Sequence, residues 1–194
     1  MECVQLIATN THNLLNRQGQ AQPLSMLSPG VTVASSSVTA SIAGTTLTVT
    51  VLASGFLSPG NVISGAGILP NTWIAEQLTG TMGGVGTYRL NQSNTFASGA
   101  VTADGSGLWA ICDSIYNTFQ ACVDGTAGVQ TATVAIDVSN DALHPVGTVL
   151  GTITLSGTIS ASDGFAAMNS WKYCRARVTA VTGTNAVVTC LLGS

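Results

Sequence analysis

A short basic and aromatic stretch near the C-terminal end is the one place in this sequence where cationic side chains cluster. Residues 171–177 read WKYCRAR. If Cys174 faces a core, the side chains on the opposite face are Tyr173, Arg175 and Arg177, because strand side chains alternate. Aromatic and arginine side chains are enriched where proteins contact one another. The pattern predicts either a protein contact or an exposed strand whose charges prevent edge pairing.

The sequence contains none of the local motifs that mark common active sites. The G-x-S-x-G elbow, the Walker loop and G-x-G-x-x-G are all missing. The two histidines, His12 and His144, are far apart, and neither belongs to a recognisable catalytic triad. Paired carboxylates leave no local motif, and nothing singles out any two of the eight acidic residues. We therefore expect a protein that is not an enzyme.

Cofactor and metal sites are not predicted either. There is no C-x-x-C pair and no histidine–cysteine group with zinc spacing. Asp137, Asn140 and Asp141 could offer oxygens to calcium. Such a group after a strand more commonly ends the strand in a turn. We expect no bound cofactor and no metal ion.

The cysteines indicate a reduced protein. There are five of them, and an odd number argues against a disulfide framework. A hairpin loop at residues 182–185 would place Cys174 and Cys190 diagonally, where strand geometry disfavours a bridge. The first residues, Met1-Glu2-Cys3, include an acidic residue where a secretory signal peptide would have basic ones, and no apolar signal region follows. We expect synthesis in a cytoplasm and five reduced, buried thiols.

Composition limits the classes of partner. Only 7% of the 194 residues are charged, against about a quarter in ordinary soluble domains. Hydrophobic residues reach 45%, but no run approaches the roughly 20 apolar residues of a membrane-spanning helix. Few charges suit a protein docked to other subunits, and equally a secreted β protein with a Thr/Ser-rich surface. The net charge of −3 does not indicate the basic surface that nucleic-acid-binding proteins present. We expect neither nucleic acid nor a membrane as a partner.

Residues 38–103 have the pattern of a small antiparallel β module. Leu47, Val49 and Val51 alternate with threonines, which is the period-two pattern of a half-buried strand. Breaks rich in Gly, Pro and Asn recur at the spacing of short strands. Trp73 lies in a strand-like run and is interpreted most simply as a core residue. We predict a small β-barrel or β-sandwich module over this range.

Residues 104–194 are predicted to form a second, C-terminal β domain. It follows a short Asp-Gly-Ser-Gly joint at residues 104–107. Residues 108–119 have apolar side chains at many phases and are compatible with a helix. Further on, residues 171–181 are expected to pair with residues 186–191 in a hairpin. Short antiparallel strands with such turns are typical of a jelly-roll-like β-sandwich.

Residues 1–37 differ from the rest and are predicted to form an extended N-terminal arm. They are rich in Asn, Gln and Ser, and Pro23 and Pro29 favour extended backbone. The segment has too few apolar side chains to form a core of its own, and such a core would be needed to offset the conformational entropy that is lost when the segment becomes ordered. The arm must therefore pack on another surface or remain a loose terminus. The apolar residues expected to make that contact are Leu24, Met26, Leu27 and Val31.

Two stretches resemble structural proteins of tailed bacteriophages. The first, SIAGTTLTVTVLASGFLSPGNVISGAGILPNTWI followed by LTGTMGGVGTYRLNQSNTFAS, is similar to a small β module of tail, fibre and head-associated proteins. The second, ATVAIDVSNDALHPVGTVLGTITLSGT followed by SDGF and WKYCRARVTAVTGTNAVVTCLLG, resembles a C-terminal β-sandwich of head-decoration and head-fibre proteins. The resemblance implies an all-β virion protein.

From this resemblance we expect a capsid decoration or cement protein that stabilises the shell by bridging neighbouring subunits. Its partners would be the major capsid protein or other virion proteins, it would form a homo-oligomer, and it would be located in the virion. One alternative is a tail or head fibre or adaptor component. An alternative of another class is a carbohydrate-binding β-sandwich, against which the missing signal and the few clustered aromatic residues count.

Overall fold

The computed structural model describes residues 24–112, 114–142 and 147–193. The all-β prediction is confirmed: strands make up 76% of the structure, and the described residues contain no helix. One curled antiparallel sheet forms a half-barrel. Residues 1–23 of the predicted arm lie outside the described residues.

Ten strands build the sheet, and three of them are more than 20 residues long. The main order across the sheet is β1-β10-β7-β9-β5-β2, while β3 and β4 pair with β5, β6 pairs with β9, and β8 pairs with β7. The strands are β1 (Leu24–Val31), β2 (Ser35–Ser54), β3 (Ile63–Ser64), β4 (Ile74–Gly80), β5 (Gly86–Ser106), β6 (Ala110–Ile111), β7 (Tyr116–Ser139), β8 (Thr148–Met168), β9 (Tyr173–Thr184) and β10 (Val187–Gly193).

Strand β7 is the axis of the C-terminal half. It pairs with β8 over most of its length, from Tyr116 opposite Met168 to Val138 opposite Thr148, with a break after Asp124. A register shift after Asp124 marks a bend in β7. Bulges of this kind increase the local twist of a sheet, and here the bend accompanies its curl.

The predicted hairpin across residues 182–185 is wrong. Strand β9 pairs with the second part of β7, and β10 pairs with the first part, at residues 118–124. Both pairings are antiparallel, so β9 and β10 follow one another along the same edge of β7. Gly183 and Asn185 have positive φ angles of 135° and 53°, and they bend the chain without reversing it. Gly183 and Asn185 therefore let the chain follow the bend in β7 instead of forming a hairpin loop between β9 and β10.

The possible helix at residues 108–119 is also wrong. This range contains the two-residue strand β6 and the beginning of β7. Phe119, Ala121 and Val123 alternate inward and are all buried. The local pattern of apolar residues fits a strand as well as a helix. Pairing with β8 and β10 therefore selects the strand conformation.

Two hydrophobic cores lie within the sheet. The first is built from residues between 38 and 103, with Leu47, Ile74 and Tyr88 fully enclosed. The second is built from residues between 112 and 192 together with Leu27 and Val31. Strand β5 connects the two parts, because Gly105 and Ser106 at its end pair with β9.

The predicted arm is divided by the fold. Residues 24–31 form β1, which pairs with β10 from Leu24 opposite Gly193 to Val31 opposite Val188. Leu27 and Val31 are buried in the second core. These two residues therefore pack on the chain's own sheet instead of on another molecule. The side chains of Leu24 and Met26 lie outside the described part of the structure.

Candidate functional site

The region where the two cores meet encloses a cavity of about 250 Å³, here called the junction cavity. Five segments converge on it: the loop before β3, the loop between β3 and β4, the connection from β5 to β6, the segment after β7, and β9. Its described lining residues are Gly60, Trp73, Gly107, Leu108, Trp109, Ala142 and Arg175.

The half-buried Asp104 and the buried Asn61 fix the loop and the connection against each other. Asp104 accepts hydrogen bonds from the Val62 and Ser106 backbone N–H groups at 2.8 and 3.0 Å, and from the Ser106 hydroxyl at 2.8 Å. Asn61 donates from Nδ2 to the Ser106 carbonyl at 3.0 Å, and its Oδ1 accepts from the Ser58 N–H at 2.7 Å. These bonds hold the cavity wall in one arrangement.

Two glycines allow the backbones to approach closely at this point. Gly60 has φ +95°, and a Cβ there would clash with the backbone of Gly107. A Cβ on Gly107 would in turn clash with the Leu27 carbonyl. Larger residues would push the two segments apart, so both glycines are required by the packing of the wall.

Behind the cavity lies an ion-pair cluster made by Asp137, Arg175 and Arg177. Arg177 binds the carboxylate through two nitrogens, Nε to Oδ2 at 2.9 Å and Nη2 to Oδ1 at 3.0 Å. Arg175 Nε also donates to Oδ2, at 3.3 Å. Asp137 is 1% exposed and Arg175 is 4% exposed. The predicted exposed face at Tyr173, Arg175 and Arg177 is therefore wrong for Arg175.

The pKa values of the two arginines shift in opposite directions. Burial lowers the pKa of Arg175, and the nearby carboxylates of Asp137 and Asp104 oppose that effect. The hydrogen bonds that Arg177 donates to Asp137 are the main cause that raises the pKa of Arg177. Because both of its oxygens accept guanidinium N–H groups, Asp137 is poorly placed to act as a general base. The cluster is suited to holding β7 and β9 together and to shaping the cavity wall.

Two tryptophans, Trp73 and Trp109, line the junction cavity, a feature that sequence reasoning missed. The guanidinium carbon of Arg175 lies 4.6 Å from the ring centroid of Trp109, within cation–π range. Trp73 comes from a segment 36 positions earlier in the sequence. The indole nitrogens of both are buried, and neither has a hydrogen-bond acceptor within the described ranges. No local signal could have found this pair, because the tryptophans belong to the two different modules.

A second surface feature is an apolar patch at the start of β7, here called the end patch. Ile111 and Ile115 are each 62% exposed, and Tyr116 and Met168 are each 71% exposed. Tyr116 and Met168 are cross-strand partners, and the Ile115 carbonyl accepts a hydrogen bond from the Asn169 N–H at 3.0 Å. Tyr116 and Met168 are therefore direct neighbours on adjacent strands, and the backbone of Ile115 lies beside the residue that follows Met168.

Tyr173 borders the end patch. It is half-buried, pairs with Ile111 across β6 and β9, and has the Lys172 ammonium 5.2 Å from its ring centroid. Of the three β9 residues predicted as a contact, the structure therefore places Tyr173 beside an exposed apolar surface. Arg175 and Arg177 belong to the buried cluster with Asp137.

The cysteines depart from the expectation of five free thiols. Cys112, Cys174 and Cys190 are free and buried. Cys122 is disulfide-bonded, which contradicts the prediction at that position. Burial raises the pKa of Cys174 well above its ordinary value and that of Cys190 to about 12. The thiols of Cys174 and Cys190 are therefore protonated near neutral pH and are poor nucleophiles.

In the ranges 24–112, 114–142 and 147–193, no three His, Cys, Asp or Glu side chains come together as metal ligands. Within the same ranges no helix has the length and apolar character to cross a membrane. No protein-family model, curated protein or solved structure matches this chain.

Proposed function

We propose that this protein is a non-enzymatic structural component of a virus particle, and specifically a capsid decoration protein. It stabilises the shell by docking across neighbouring subunits. The observation that carries the proposal is the end patch, where Tyr116 and Met168 are exposed cross-strand partners and Ile111 and Ile115, a few positions earlier in the chain, are exposed as well. The resemblance of both halves of the sequence to phage virion modules supports the same class.

The contiguity of the patch matters more than the exposure of any one residue. Single exposed apolar side chains are normal on protein surfaces, whereas contiguous patches mark interaction sites. Tyr116 and Met168 also rank among the side chain types enriched at interfaces. With 7% charged residues, the chain has little charge repulsion to oppose association.

The small area of the end patch indicates that it acts together with other contacts. A stable interface buries about 800 Å² on each partner, which is more than four side chains provide. A decoration protein that bridges subunits makes several small contacts at once, and these reinforce one another through effective concentration. A rigid half-barrel with strands of 20 to 24 residues can span such contacts.

The hydrogen bonding of two carboxylates supports a structural role more than a catalytic one. Asp137 is occupied by two arginines, and Asp104 by three donors. Neither carboxylate is placed to exchange a proton with a substrate. We expect purified protein to show no hydrolysis of polysaccharide, peptide or nucleic acid.

The experiment compares binding to capsids assembled without this chain. We expect the double variant Tyr116→Ser/Met168→Ser to bind at least 10-fold more weakly in co-sedimentation, because two interface side chains lose their apolar burial. Val129→Ser is the matched control, since Val129 is 62% exposed but lies beyond the bend in β7. Equal binding by the double variant and the control would contradict the proposal. Binding to tails but not to heads would instead favour the fibre alternative.

A further inference from the structure

The disulfide at Cys122 has a partner that the other cysteines of the chain identify. The chain contains five cysteines, at positions 3, 112, 122, 174 and 190. Cys122 is disulfide-bonded, whereas Cys112, Cys174 and Cys190 are free. A disulfide within the chain needs two cysteines, and the remaining one is Cys3, which lies outside the described residues. The bond therefore connects the N-terminal segment to β7.

The sheet itself separates Cys122 from the three free thiols. Ala121 and Val123 point into the second core, so the side chain of Cys122 between them points to the opposite face of β7. All three free cysteines belong to that core, and Cys190 is the direct cross-strand partner of Ala121. None of them can reach Cys122 without a rearrangement of the strands.

The surroundings of Cys122 indicate that this face of the sheet is covered at one point. Cys122 is 2% exposed, and Thr189, its partner on β10, is 4% exposed. Gln120 and Ser162 beside them are exposed. Ser162 Oγ lies 3.5 Å from Cys122 Sγ and accepts a hydrogen bond from Gln120 Nε2 at 3.0 Å. A segment bonded to Cys122 accounts for burial that is limited to this pair.

The length of chain before β1 is sufficient for Cys3 to reach Cys122. Leu24 pairs with Gly193 on β10, and Gly193 pairs with Thr118 on β7. Thr118 is four positions from Cys122, or about 13 Å along the strand, and two strand spacings add about 10 Å across the sheet. The 21 positions from residue 3 to residue 24 (24 − 3) can span up to about 70 Å. The bond can therefore close while Leu24 remains in β1.

We propose that Cys3 and Cys122 form a disulfide that fastens the N-terminal segment to the outer face of β7 under the control of the surrounding redox conditions. Two S–H bonds break and one S–S bond forms. A small disulfide such as oxidised glutathione takes up the two electrons and two protons and is released as two thiols. Reducing compartments keep such a bond open, and oxidising surroundings preserve it. The bond does not depend on the proposed decoration role.

Closing the bond stabilises the fold in two ways. It joins residues 119 positions apart in the chain (122 − 3), and a long closed loop strongly restricts the unfolded state. It also holds the segment that precedes β1, the strand that contributes Leu27 and Val31 to the second core. We therefore expect reduction to lower the melting temperature by about 5–15 °C.

Peptide mapping by mass spectrometry tests the pairing. The protein is treated with oxidised glutathione and digested without reduction, and we expect one cross-linked peptide pair that contains Cys3 and Cys122 and is lost on reduction. Alkylation of the unfolded, unreduced protein should modify three cysteines, and alkylation after reduction should modify all five. Five modified cysteines before reduction, or a bond from Cys122 to any other cysteine or to a second copy, would overturn the proposal.

Melting with and without a phosphine reductant measures the redox control. Cys3→Ser should melt at the same temperature under both conditions, and at the temperature of the reduced unaltered protein. Cys112→Ser is the matched control, because it removes a free thiol and should keep the full difference between the oxidised and reduced forms. A difference that persists in Cys3→Ser, or one that is lost in Cys112→Ser, would contradict the assignment of Cys3.

Discussion

At the scale of single residues, the buried ion-pair cluster shows both what alternation in the sequence predicts and what it leaves out. Asp137 and Arg175 are direct partners on β7 and β9, and alternation correctly places both opposite the core-facing residues. Alternation alone assigned that face to solvent. In the structure Trp109, which lies between β5 and β6, stacks on the Arg175 guanidinium, and Arg175 is buried. That contact comes from a distant part of the chain, which no local pattern records.

Replacing Asp137 by Asn tests the weight of this cluster. Removing one partner of a buried ion pair leaves the other charges uncompensated, so we expect Asp137→Asn to lower the free energy of unfolding by about 3–5 kcal/mol. Glu76→Gln breaks the exposed pair between Glu76 and Arg89 and serves as the control. Its expected cost is below about 1 kcal/mol. Urea unfolding measures both, and equal small losses would show that the cluster is not structurally important.

The free thiols give a second residue-scale prediction. Because burial raises the pKa of Cys190 to about 12, its thiol stays protonated at pH 8 and at pH 10. We expect Cys112, Cys174 and Cys190 to resist iodoacetamide in the folded protein at both pH values and to react once the protein is unfolded. Mass spectrometry after alkylation measures this. Rapid modification of the folded protein that rises with pH would contradict the burial of these thiols.

The raised pKa of Cys190 also makes the free energy of unfolding depend on pH. The folded-state pKa of Cys190 is raised above its ordinary value of 9.0, so the unfolded thiol loses its proton first. The associated stability is complete below about pH 9 and is lost as pH rises toward about 12. Cys190→Ala should therefore reduce the fall in unfolding free energy over this range.

At the scale of elements, strand type was predictable and strand pairing was not. Alternation at residues 132–138 and 119–123 is local, and the structure confirms those strands. The pairing of β9 and β10 with β7 was missed because Gly183 and Asn185 suit a hairpin loop as well as a bend. Only the length of β7, which offers one edge to both strands, distinguishes the two arrangements.

We predict that strand β1 contributes to the stability of the second core. Leu27 is 1% exposed within the second core, so Leu27→Ala should lower the free energy of unfolding by about 2–5 kcal/mol. Leu69→Ala is the control, since Leu69 is 49% exposed and its truncation should change stability by less than about 0.5 kcal/mol. Denaturant unfolding compares the two. An arm that packs only on another molecule would instead make both substitutions neutral.

Deletion of residues 1–30 tests the same element more severely. It removes most of β1 and exposes the edge of β10. We therefore expect the deleted protein to melt at a lower temperature, whereas an arm outside the core would leave melting unchanged.

At the scale of the whole molecule, two cores share one curled sheet, and each of the two surface features has its own position on it. The junction cavity lies between the cores, and the end patch lies where β7 begins. The sequence indicated two β-rich parts because each has its own alternating strands. It could not indicate either surface feature, since both are assembled from segments that are far apart in the chain.

The proposal that this protein decorates a viral shell is tested most directly by locating it on particles. A gold label attached to the C-terminus, followed by electron microscopy of particles purified from cells that make the protein, gives its position. The account predicts label at regular lattice positions over the head, and label lost when the protein carries Tyr116→Ser/Met168→Ser but kept with Val129→Ser. Particles without label, or with label confined to the tail, would contradict the decoration role.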